Sequence, residues 1–150
     1  MGSMDDAAPS WDTVEEDLAA VLHDLSEREF VVLGEPAPPP HARGPFRRTP
    51  PPRPNRYVQF QRDRDWLYAE CVGATLFGGD WEVPVEVHEQ LRTLGWLAPG
   101  DPDPAGTRPS YPNYWCTLPR EDHRRAAAMG VGALRLLGVP PAGLEWQRDH

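Results

Sequence analysis

An α+β fold is what this sequence predicts: a two-layer sandwich with an antiparallel sheet and helices mainly on one face. Three observations carry the prediction. Apolar residues recur at helical spacing near the start, in the middle and near the end of the chain. Four short stretches are β-branched, aromatic or alternating. Two of these are separated only by a compact polar turn, so they pair antiparallel, and flanking helices then cover one side of the sheet.

The first helix spans about Ser10 to Glu27. Ser10 is a capping residue, and Thr13 with Glu16 offers a second capping box one turn later. Trp11, Val14, Leu18, Val21, Leu22 and Leu25 make its apolar stripe, with Asp12, Glu15, Glu16 and Asp17 opposite. Phe30-Val31-Val32-Leu33 reads as a strand ended by Gly34. Residues 35–54 then hold nine prolines, which exclude helix and inner strand, together with Arg43, Arg47, Arg48 and Arg53. This is an extended, polyproline-like insert. Its plain reading is a disordered loop. Docking to an acidic partner, or recognition of Arg48-Thr49-Pro50-Pro51-Pro52-Arg53-Pro54 by an SH3-like module, are the sharper ones.

Tyr57-Val58-Gln59-Phe60-Gln61 and Trp66-Leu67-Tyr68-Ala69-Glu70-Cys71-Val72 alternate around the turn Asp63-Arg64-Asp65, a β-hairpin signature. Pro84 starts a second helix with Val87, Leu91 and Leu94 on one stripe, and Gly95 stops it. Asn113 to Leu118 is a fourth strand. Pro119 opens the last helix, whose inner face is Ala126, Ala127, Gly130, Ala133, Leu134 and Leu137, ended by Gly138-Val139-Pro140-Pro141. The order is helix, three strands, helix, strand, helix. One domain at 10–146 follows, with a disordered stretch at 1–9, the insert at 35–54 and a tail at 147–150.

Composition removes several functions. Net charge is −8, against the basic face a nucleic-acid-binding domain carries. No apolar run approaches the roughly 20 residues of a membrane helix, and the acidic start lacks the features of a secretion signal, so the expected location is cytoplasmic. The charge is uneven: ten carboxylates and one arginine in residues 1–40, seven arginines and one aspartate in 41–64. All 15 basic residues are arginine, which with the abundant Ala, Pro and Gly has the look of a GC-rich genome.

The Tyr57-Val58-Gln59-Phe60 strand, Ala69-Glu70-Cys71-Val72-Gly73, Leu94-Gly95-Trp96 with Pro99, Asn113-Tyr114-Trp115 and the closing Leu134-Arg135-Leu136-Leu137-Gly138-Val139 together resemble the TY-Chap family. These are actinobacterial chaperone-like domains related to type III secretion chaperones and YbjN proteins. The likeness covers roughly residues 11–146. It implies a secretion-chaperone-like fold and a non-catalytic role in binding a polypeptide client or effector protein, with no cofactor. It also raises homodimerisation. The Pro/Arg insert and Gly73-Ala74 depart from the family pattern.

Catalytic and metal chemistry have thin support. His23, His41, His88, His123 and His150 lie on separate elements, and only His88 and His123, near helix starts, are expected to approach one another. Cys71 and Cys116 are 45 residues apart, fit no zinc or redox spacing, and read as buried thiols. Glu70 sits mid-strand without a visible partner.

Strand alternation is more informative, because side chains two apart share a face. Val58, Phe60, Leu67, Ala69, Cys71, Tyr114, Cys116 and Leu118 suit the core. Tyr57, Gln59, Gln61, Trp66, Tyr68, Glu70, Val72, Trp115 and Thr117 point the other way. Tyr and Trp among a few polar groups are the composition of binding surfaces. The partner-binding set is therefore Tyr57, Gln59, Trp66, Tyr68, Glu70, Trp115 and Thr117. Cover by the first helix, by the tail at Leu144-Glu145-Trp146 or by a second subunit are the competing explanations of that face. A self-associating subunit without a client, and a small enzyme of unrecognised type, are the alternative functions.

Overall fold

The computed structural model describes residues 10–36, 56–71, 84–98 and 113–149. The expected disordered start, most of the Pro/Arg insert, Val72 and the turn-rich stretch around 100–112 lie outside them.

Ser10 caps helix α1 (Trp11–Asp24): its Oγ accepts the Thr13 N–H at 3.2 Å. The helix stops a turn earlier than its stripe suggests. Leu25 leaves helical geometry and Arg28, at φ 68°, turns the chain into strand β1 (Phe30–Gly34). Glu29 holds that turn by accepting the Ser26 N–H at 2.9 Å. β2 (Tyr57–Asp63) and β3 (Trp66–Cys71) form the expected hairpin, with Arg64 at φ 56° in the turn. α2 (Val85–Leu94) ends at Gly95, φ 114°, where the Trp96 N–H returns to the Leu91 carbonyl. β4 (Tyr114–Pro119) leads through one 3₁₀ turn into α3 (His123–Leu136).

A fifth strand, β5 (Glu145–Asp149), joins the sheet where the sequence suggests a tail. Trp146 is its sole large apolar residue, so no hydrophobic alternation announces it. Its partner does the specifying: β5 pairs antiparallel with β1, Trp146 opposite Leu33 and Arg148 opposite Val31. Arg148 then reaches the buried Glu29, its Nε and Nη2 lying 3.1 and 2.9 Å from Oε2. The sheet order is β4-β3-β2-β1-β5, antiparallel throughout.

The helices lie on one face, which makes the expected α+β sandwich. α3 lies directly on the sheet because Gly130 carries no side chain there. A Cβ at that position would stand 2.8 Å from the Phe60 ring and 3.2 Å from Leu18. The core between the layers holds Leu18, Leu22, Val31, Leu33, Val58, Phe60, Leu67, Ala69, Tyr114 and Leu134, all inaccessible to solvent. Trp96, which periodicity does not mark, is also buried, and its Nε1–H donates to the Met129 carbonyl at 3.1 Å. The insert leaves and re-enters at a closed neck: Glu35 N–H donates to the Arg56 carbonyl at 3.0 Å, and the Arg56 guanidinium pairs with the Glu35 carboxylate.

Candidate functional site

Register assigns the faces. Opposite residues in an antiparallel pair share a side, and Phe60 faces the helices. So do its neighbours Val31 and Ala69, and Cys116 beyond Ala69. The intervening positions face outward: Phe30 and Val32 on β1, Tyr57, Gln59, Gln61 and Asp63 on β2, Trp66, Tyr68 and Glu70 on β3, Trp115 and Thr117 on β4. The α1 helix packs against α3, and the segment Leu144-Glu145-Trp146 runs into an edge strand, so neither lies across this face.

The outward side chains are not equally accessible. Trp66 is 51% exposed, Tyr68 only 9% and Trp115 only 2%. The three aromatics therefore do not form one open patch. Trp66 and Thr117 are open, and Tyr57, Gln59, Gln61 and Glu70 are half-buried. Tyr68 donates its hydroxyl to Glu70 Oε1 at 2.9 Å, which supplies the partner the sequence did not show for Glu70. Glu70 stands in a cross-strand row between Gln59 and Trp115. Trp115 is flanked on its other side by Leu97, through an antiparallel bridge with paired backbone bonds of 2.8 and 3.1 Å. The Trp115 Nε1–H is buried and has no acceptor among the described residues. Such a donor costs about 1–3 kcal/mol when left unpaired. At the far end of the face, Asn113 Nδ2 lies 3.5 Å from the Tyr57 hydroxyl, and burial raises the Tyr57 pKa.

Elsewhere the chemistry-bearing side chains are dispersed. His88 and His123 do not meet. His88 Nδ1 lies 2.7 Å from the Tyr114 hydroxyl on the core side, whereas His123 meets His23 edge to face with ring centres 5.0 Å apart. The sequence could not foresee the latter contact, because it depends on how the end of α1 meets the start of α3. A hollow of about 550 Å³ beside these rings is lined by Glu16, Ala19, Ala20, His23, Asp24, His123 and Arg124, on the helical layer away from the aromatic face. No group of three or more His, Cys, Asp or Glu among the described residues is placed to hold a metal ion. Cys71 is buried, and burial pushes its thiol up well above the ordinary range. Cys116 is half-buried rather than fully enclosed; burial raises it too, with Arg125 pulling the other way.

This is a two-layer α+β domain whose sheet gives one side to helices and keeps aromatic and polar side chains on the other. The chain belongs to the TY-Chap3 family, described as T3SS (YopN, CesT) and YbjN peptide-binding chaperone 3, whose model matches residues 4–149. Membership gives it a chaperone-like binding role with polypeptide partners. No curated protein and no solved structure matches the chain. No helix among the described residues is long and apolar enough to cross a membrane.

Proposed function

We propose that this chain is a non-catalytic chaperone or adaptor that holds a segment of a client polypeptide, such as an effector protein, on the outward face of its sheet. The observation that carries the reading is Trp66, a large aromatic half exposed on a sheet face opposite the helical layer. An indole in water is an affinity anchor waiting for apolar cover, and interface hot spots are rich in Trp and Tyr. Thr117 and Gln61, on either side of Tyr68 in the cross-strand row, supply polar contacts beside it. Tyr68, Glu70 and Trp115 act from beneath, as the floor that fixes the shape of the face. The working compartment is the cytoplasm, consistent with two cysteines that remain free thiols.

Tyr68 is buried and hydrogen-bonded, so its truncation would damage the fold, and the test uses exposed positions. A photo-reactive side chain placed at Thr117 should crosslink a defined polypeptide in the source organism's lysate. The same group at Ala20, on α1, should not. Trp66→Ala should abolish the adduct. Equal crosslinking from both positions would defeat the reading. Self-association is the second reading, favoured by one observation: among the described residues β5 pairs with β1 alone, and it carries Trp146, 40% exposed. It predicts a mass that rises with concentration and no retained client.

A further inference from the structure

We infer that the client segment is cationic: an extended peptide bearing arginine or lysine. This inference rests on the outward face being the client site. Its first support is the sorting of charge between the two sides of the sheet. Outward strand positions hold the carboxylates Asp63, Glu70 and Glu145. The strand arginines Arg62 and Arg148 sit at positions that face the helices, and both are engaged there. Arg62 Nη1 donates to the Leu25 carbonyl at 2.8 Å, and Arg148 pairs with Glu29. No strand position described on the outward side carries a basic residue; Arg28 precedes β1, in the turn. A face that is acidic and aromatic at once favours a cation, because ring faces and carboxylates attract the same sign of charge.

The second support is the acceptor capacity that Glu70 retains on this face. Glu70 uses Oε1 for Tyr68, and an ionised carboxylate offers about four acceptor positions, so it retains capacity for a guanidinium or ammonium group. Its cross-strand neighbour Trp115 is covered and forms the floor beside it. A peptide with a cationic side chain answers that capacity by donating to Glu70. Trp66 lies four residues along β3 from Glu70, about 13 Å at strand rise. An extended peptide lying along β3 sets its own side chains four apart at the same interval, so a second cation would rest on the open indole.

The test is a titration of the intact protein with three fluorescein-labelled Gly-Ser peptides. They carry arginine, glutamine or glutamate at two positions four residues apart, and binding is followed by anisotropy at two salt concentrations. The arginine peptide should bind about tenfold more tightly than the glutamine peptide, and the glutamate peptide should bind weakest. Because the whole protein is acidic, a charge-matched control is needed. Asp63→Asn/Glu70→Gln should remove most of the preference, whereas Glu16→Gln/Asp17→Asn on α1 should leave it. Equal binding of the three peptides, or equal loss in both double variants, would overturn the cationic client while leaving a peptide-binding face in place. Absence of binding by any peptide, or binding untouched by Trp66→Ala, would instead remove the face itself, and with it this inference.

Discussion

The two sides of the sheet are made by the same strands, residue by residue, yet they obey different rules. Toward the helices, β2 and β3 present Val58, Phe60, Leu67, Ala69 and Cys71, all inaccessible. Outward, the intervening residues run from fully covered Trp115 to open Trp66, and every one except Phe30, Val32, Gly34 and Pro119 carries a polar side-chain atom. One side is specified by volume and the other by chemistry. Mutations should therefore separate them: stability should follow the helix side, and binding the outward side.

The largest effect is expected from Phe60→Ala. The ring fills the space left by Gly130, and the close helix-on-sheet contact prevents the site from collapsing neatly. Truncation should cost about 3–5 kcal/mol, measured by urea unfolding. A cost below about 1 kcal/mol would mean that the core side is not the rigid layer the packing describes.

Alkaline pH probes the same side without mutation. Burial pushes the Tyr114 phenol from its ordinary 10.0 up to about 12. The unfolded chain thus releases this proton near its ordinary value while the folded chain keeps it. Above that pH the unfolded state binds fewer protons, so stability falls as pH rises toward about 12 and is flat around neutrality. Tyr57 and Cys71 are raised in the same direction. Tyr114→Phe should therefore shrink the alkaline loss without abolishing it, and a variant with an unchanged profile would refute Tyr114 as a contributor.

How much of this was legible in the sequence follows the same division. The helix side was readable because burial imposes periodicity: Leu18, Phe60, Ala69 and Gly130 announce themselves by spacing and size. Ser10 and Gly95 were readable because a cap and a left-handed stop have local causes. The face assignment of Trp66, Tyr68, Glu70, Trp115 and Thr117 followed from alternation alone. Their accessibility did not, because alternation says which way a side chain points and nothing about what lies over it. The same limit hid β5. Its place depends on an edge of β1 more than a hundred residues earlier and on Glu29, neither of which leaves a mark at 145–149.

That long-range clasp gives a smaller, local prediction. Arg148→Ala removes the two nitrogens that face Glu29 Oε2, while the Ser26 N–H still satisfies Oε1. Arg148 is partly exposed, which discounts the loss to about 1 kcal/mol. Amide exchange should rise at Gln147 before it rises in β2 or β3. If all strands lose protection together, β5 is integral to the folding unit rather than an appended edge.

The smallest effect on stability, and the sharpest comparison, is Trp66→Ala. The indole is half exposed at the end of β3, opposite Pro119. Its truncation leaves no cavity, so unfolding free energy should change by less than about 0.5 kcal/mol. If the outward face holds the client, the same substitution should weaken binding by about tenfold or more, the range in which exposed aromatic anchors act. The two measurements on one variant decide between chemistry and volume. Stability lost with affinity intact would mean that Trp66 belongs to the packing. Affinity lost with stability intact would show that the open indole is kept exposed for a partner.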